Sequence, residues 1–238
     1  MSGSTRKQRE IAEREQKILS VAARIFRTVG YHGLNMEEIA SEIGCSKGTV
    51  YGHYRNKEDI LMAMASRGVE TRADLFSQAA AFPGRARERM LVLWMSLERF
   101  VQEYSHYFAA EIILRTETLR EKAAPERQES LRAGESRCLQ IVAGLIRDGI
   151  AQGDLQLTDG MTPEELAYGL WATAFGGHTL WQTGPSSKIY GVKAPLETIL
   201  QSVSLILDGM GWQPLSSRLD RDKLRQQAEQ LVSEVDFE

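Results

Sequence analysis

Between residues 11 and 29 the apolar side chains Ile18, Val21, Ala22, Ile25, Phe26 and Val29 recur every three or four positions, the spacing of one apolar helix face. Gly30 and Gly33 then interrupt the pattern. Asn35 stands as an N-cap with Glu38 in the capping-box position, and Met36, Ile39, Ala40 and Ile43 make a short second helix that Gly44 ends. Ser46 caps a third short helix with Val50 and Tyr54 inward, and Asn56 caps a longer fourth that begins KEDILMAMA. Three short helices joined by tight turns within 55 residues form the pattern of a helix-turn-helix. Two helices crossing steeply need a small residue at their approach, which Ala40 supplies. The turn needs a residue tolerant of positive φ, which Gly44 supplies.

Beyond this segment the helical period continues and the segments lengthen. Helices are expected near residues 57–80, 85–104, 106–120, 125–152, 163–182 and 195–210, with breaks at Pro83-Gly84, around Pro125, and from Gly153 to Pro163. The loop over 184–195, GPSSKIYGVKAP, is long for a helical bundle and reads as mobile or functional. From Arg218 onward Leu224, Ala228, Leu231 and Val235 keep helical spacing within a charged segment, so one more amphipathic helix is expected there. No run of alternating β-branched residues argues for a sheet. The fold class is therefore all-α: an N-terminal three-helix DNA-binding domain with the helix-turn-helix, then a larger helical domain. The expected boundaries are 1–57, 58–215 and, for a C-terminal helix or tail, 216–238.

Charge agrees with that division only when it is split along the chain. The net charge of -3 hides ten Lys/Arg against six Asp/Glu in residues 1–57, a balance of +4, and nineteen against twenty-six in the rest, a balance of -7. A basic end on an acidic body is expected when one end meets phosphate. The N-terminal stretch MSGSTRKQREIAEREQK has no apolar segment of a secretory signal, and no run approaches a membrane span. Two distant cysteines, Cys45 and Cys138, argue against a disulfide framework or a cysteine-based zinc site. A cytoplasmic protein without a membrane partner is expected.

The segment ILSVAARIFRTVGYHGLNMEEIASEIGCSKGTVYGHYRNKEDIL, residues 18–61, resembles the TetR family of bacterial transcription regulators. Many linked positions agree over this stretch, whereas beyond residue 65 the resemblance is architectural. It implies a recognition helix from Ser46 to Tyr54, with Ser46, Lys47, Gly48, Thr49, Tyr51 and His53 facing DNA. Tyr51, His53 and Lys57 would contact phosphates, and Asn35 and Met36 would open the second helix beside the backbone phosphates. Lys47 is the candidate for direct base readout, to guanine. Two departures matter: Gly52 stands where many members carry a bulkier residue, so base reading there is in doubt, and Glu37 stands where a few place arginine, so it receives no DNA contact. Blander readings stay open. Tyr51 can pack on the first helix, His53 can be solvated, and Arg6, Lys7 and Arg9 can be either a DNA-binding arm or a frayed terminus.

The same resemblance implies a homodimer through the last two long helices. Gly169, Ala172, Thr173, Gly176 and Gly177 put small side chains along one face of residues 166–181, and Ile199, Val203, Ile206 and Leu207 form an apolar stripe on the next helix. Packing within one chain is the competing reading. Aromatics cluster on the middle helices, and Trp94, Phe100, Tyr104, Phe108, Trp171, Phe175 and His178 are candidates to line a pocket for a small hydrophobic ligand. An aromatic stripe at helical spacing is also what plain core looks like.

The function expected is sequence-specific binding of double-stranded DNA, as a repressor released from an inverted-repeat operator by a small ligand. The alternative is a regulator of the same fold that answers to a protein partner or to no ligand. A small helical enzyme is the remote one. GxSxG, HExxH and strand-borne GxGxxG are missing, and His32, His53, His106 and His178 lack metal-ligand spacing. No enzyme activity, metal or cofactor is expected.

Overall fold

The structure, a computed structural model, describes residues 2–158, 160–184 and 190–233, with side chains from Arg6 onward. Its elements run α1 (Ser2–Gly33), α2 (Met36–Glu42), α3 (Lys47–His53), α4 (Lys57–Ala80), α5 (Ala86–Glu103), α6 (Ser105–Ile113), α7 (Glu117–Arg120), α8 (Pro125–Ala151), α9 (Pro163–Thr183), α10 (Pro195–Gly209) and α11 (Arg221–Ser233), with a 3-10 turn at Ser216–Arg218. Among the described residues there is no strand, and no helix is long and apolar enough to cross a membrane. The chain forms two compact units. One comprises the described residues of Met1–Gly68 and His106–Arg132, the other those of Val69–Ser105 and Ala133–Phe237.

In the first unit α1, α2 and α3 close on a core of Ile18, Ala22, Ile25, Phe26, Ile39, Val50 and Tyr54, all under a tenth exposed. Burying side chains of this size contributes about 1.5–3 kcal/mol each, which lets helices of seven residues persist. The first helix departs from its sequence pattern at both ends. It begins at Ser2 rather than near residue 11, so Arg6, Lys7 and Arg9 are helical, and Arg6 pairs with Glu10 at 3.0 Å. At the other end Gly30 takes φ 69° and kinks the chain before one last turn to Gly33, which leaves Val29 54% exposed instead of in the core. Asn35 caps α2 as expected, but its Oδ1 accepts the N–H of Glu37 at 2.8 Å rather than that of Glu38. Gly44 takes φ 68° in the turn to α3. Later in the unit, Gly68 lets α4 pass close to α6, since a Cβ there would stand 2.6 Å from the Cβ of Tyr107.

The helix expected over 106–120 is two. After Ile113 the backbone tightens through N–H bonds from Arg115 to Ile112 and from Thr116 to Ile113, and Thr116 opens the single turn α7. No glycine or proline marks that break, which is why periodicity runs through it.

In the second unit α11 packs along α5, and α10 packs on both α9 and α5. Leu224, Ala228 and Val232 are the buried face of α11. Val235, the last residue of that stripe in sequence, lies outside the described residues, as do 185–189 of the long loop. Trp212 is fully buried, and Gly149 on α8 makes room for its ring: a Cβ there would lie 2.7–2.8 Å from three ring atoms. Polar ties close the same region. Arg85 reaches Asp154 with Nε at 2.7 Å and Nη2 also in contact, and the fully buried Arg87 bonds Asp208 at 3.1 Å and Ser216 Oγ at 3.0 Å.

Candidate nucleic-acid interface

The geometry of α3 follows from its two ends. Ser46 in extended conformation caps the helix, its Oγ accepting the N–H of Thr49 at 3.1 Å and lying 2.9 Å from Thr49 Oγ1. Tyr54 closes it, donating its N–H to Val50 and burying its ring to 1% exposure. With Val50 and Tyr54 inward, Lys47, Gly48 and Tyr51 stand on the exposed side, Thr49 and His53 at the margin. Tyr51 is 45% exposed and lies 5.8 Å, centroid to ammonium, from Lys47. The seven-residue helix thus turns a small basic and hydroxylated surface outward. Gly52 adds nothing to it; a Cβ there would meet no atom within 4 Å, so the position has room for a reading side chain and lacks one.

The cations of this surface already have partners. Lys47 Nζ contacts the Glu37 carboxylate on α2, and both side chains are more than half exposed. That hydrogen bond and charge hold the Glu37 carboxyl below its usual range and raise the Lys47 ammonium. Lys57 lies over the ring of Tyr31 at 4.2 Å and donates to the Tyr31 carbonyl at 3.2 Å, at the kinked end of α1. The Tyr31 phenol is pushed up to about 12, first by burial and then by its 2.7 Å hydrogen bond to Glu58. Burial works to raise Glu58 too, but the hydrogen bonds from Tyr31 and Lys122 overcome it and its carboxyl sits below the ordinary range. Asn35 uses its side-chain oxygen as the cap of α2, and Met36 buries its side chain, leaving their backbone groups at the start of the helix. The expected set therefore comes together around α2 and α3, with Lys57 turned toward α1.

The aromatic candidates divide. Trp94 and His178 line one small void in the second unit with Glu98, Ala174, Ile199 and Val203, of about 10 Å³ and so with room for about one water. Its walls carry polar atoms: Trp94 Nε1 has no hydrogen-bond partner among the described residues, and Glu98 Oε2 has the guanidinium of Arg225 at 3.7 Å. Burial raises Glu98, with Arg225 opposing, and burial lowers His178 to about 4. Phe100 and Tyr104 pair at 5.6 Å, and Trp171 and Phe175 at 5.9 Å, apart from that void's lining. Phe108 is buried in the first unit. Sequence reading missed Glu98, because a carboxylate inside an amphipathic helix looks like one more solvated charge.

A three-helix domain that holds the outer face of its last short helix clear of its own core is the architecture of helix-turn-helix DNA-binding proteins. More narrowly, residues 18–64 match the model of the bacterial regulatory proteins of the tetR family. A repressor from Corynebacterium jeikeium, AcnR, is 35% identical over 66 residues, a stretch that spans 28% of this chain and 35% of that relative's length. A solved regulator of the TetR/AcrR family from Thermobifida fusca is 26% identical, with a TM-score of 0.63 over 83% of this chain and 98% of its own. FadR from Bacillus subtilis, solved with stearoyl-CoA, shares the fold at 21% identity and a TM-score of 0.60, covering 81% and 96%.

Proposed function

We propose that this chain is a sequence-specific DNA-binding transcription regulator that acts in the cytoplasm as a homodimeric repressor. The observation that carries the reading is α3, a capped helix whose Val50 and Tyr54 anchor it while Lys47, Gly48 and Tyr51 face out, with Thr49 at the margin. A major groove admits one such helix, Lys47 can reach guanine O6 and N7 there, and Tyr51, His53 and the start of α2 can meet phosphates. Functionally the chain then divides at 1–57 for DNA, 58–215 for ligand and dimerisation, and 216–238 for a C-terminal helix.

For the dimer the support is an apolar outer face on α9 and α10. Leu180 is 71%, Leu205 70% and Tyr168 59% exposed, and Gly169 and Gly176 have open space where a Cβ would stand. The face differs from the sequence stripe: Val203 and Leu207 are fully buried, and Ile199 packs on Gly177. A two-fold dimer sets its recognition helices about 34–36 Å apart, one turn of DNA.

For the ligand the support is the mostly apolar void at Trp94, Glu98 and His178, together with the stearoyl-CoA bound by a protein of the same fold. A small hydrophobic molecule has to enlarge that void, and it shifts the regulator only by favouring one state over the other. The small size of the void also favours a second reading, a regulator answering to a protein partner or to no ligand. Selection of bound duplexes from a random pool tests the central reading. An inverted repeat with half-sites one turn apart is expected; a pool that stays random overturns it.

A further inference from the structure

We infer that Arg127, in the first turn of α8, is a positioning residue for the recognition helix, setting the aim of α3 from outside the DNA-binding segment. The inference rests on the proposed DNA-binding function. A helix of seven residues has little rigidity of its own, and its last carbonyls lack partners within the helix. In α3 one of these, the carbonyl of His53, accepts from Arg127 Nη2 at 3.3 Å. The same guanidinium lies over the ring of Tyr54, 4.4 Å from its centroid, so it holds both the final carbonyl of α3 and the residue that closes it.

The guanidinium is itself fixed by the other helices of the domain. Glu15 of α1 accepts from Nη2 at 2.9 Å, and Asp59 of α4 stands 3.7 Å from Nε. Tyr54 closes the ring of contacts by donating its hydroxyl to the same Glu15 oxygen at 3.2 Å. Neighbours of Arg127 reinforce the grip. The N–H of Ala124 donates to Asp59 at 2.7 Å, the side chain of Asn56 donates to the Lys122 carbonyl at 3.0 Å, and Lys122 reaches Glu58 at 3.4 Å. Arg127 thus ties the end of α3 to α1 and α4 at once, through a planar fork and a stacked face that lysine cannot reproduce. It lies beyond residues 18–64, the stretch that matches the family, and 74 positions from His53.

The test compares wild type with Arg127→Ala, Arg127→Lys and Glu15→Gln in fluorescence anisotropy. The probes are the selected inverted-repeat duplex and a scrambled duplex of equal length. Active fractions come from stoichiometric titration, and melting temperatures are recorded in parallel. Both Arg127 variants are expected to lose about tenfold in affinity for the selected duplex, the scale of one lost base contact, and less than about threefold for the scrambled one. Glu15→Gln is expected to move the same ratio in the same direction by a smaller amount. A residue that only supports the fold lowers the melting temperature and the active fraction and leaves the ratio of the two affinities unchanged, and that result overturns the inference. If Arg127→Ala does not fold, Arg127→Lys and Glu15→Gln decide it by the same ratio. A wild type that does not distinguish the two duplexes overturns the DNA-binding reading, and this inference with it.

Discussion

Lys47 is the residue on which base reading is expected to turn, and in the free protein its ammonium rests against Glu37 rather than in open solvent. An exposed pair of this kind is weak and yields to a better partner. Glu37 also puts a negative charge on the surface that phosphate must approach. Removing it has a signed consequence: Glu37→Gln is expected to raise affinity for unrelated duplex DNA a few-fold and to steepen the fall of log affinity with log salt by up to about 0.9, one further phosphate contact. Salt titrations of both proteins check this, and an unchanged slope with unchanged affinity contradicts it. Sequence showed Glu37 as a departure from the family pattern without showing what it touches. The contact depends on the angle between α2 and α3, which no spacing encodes. Arg127 was less legible still, since a lone arginine three positions into a charged helix carries no periodic signal.

At the scale of elements, sequence gave good purchase wherever a cap or a breaker stood at a boundary. Pro125, Pro163 and Pro195 each open a helix where expected, and Thr162 and Glu165 form the reciprocal capping box at the start of α9. The break between α6 and α7 carries no such residue, so the helical period continues across it. Faces were harder than boundaries. Val29 matches the period of α1 yet is exposed, because the Gly30 kink turns the chain away, and Val203 and Leu207 match an outward stripe yet face inward. The packing of α8 against Trp212 gives a quantitative check. Gly149→Ala places a methyl group where a rigid indole already stands, and overpacking of that kind costs about 1–3 kcal/mol. Thermal unfolding is expected to fall by several degrees. An unchanged or raised melting temperature contradicts the close approach.

At the scale of the molecule, the all-helical class and the helix-turn-helix were both legible, because the first follows from period and the second from three short helices with a glycine turn. The make-up of the units was not. Residues His106–Arg132 belong with the N-terminal helices in space, a relation between distant stretches that no local pattern carries. The aromatic candidates divide for the same reason: Trp94 and His178 meet at one void, whereas the tilted ring pairs Phe100–Tyr104 and Trp171–Phe175 lie apart from its lining. The division of charge, +4 in residues 1–57 and -7 beyond, supports DNA binding at one end of the chain only as a sequence-independent attraction. Specificity has to come from α3. Fluorescence anisotropy on duplex DNA from beside its own gene, at defined salt and with excess competitor, tests that claim most directly when wild type is compared with the Lys47→Ala, Tyr51→Ala double variant. Tight binding that survives competitor and is lost in the double variant is the result the account predicts. Weak binding that falls steeply with salt and ignores both substitutions would contradict it, leaving phosphate attraction alone.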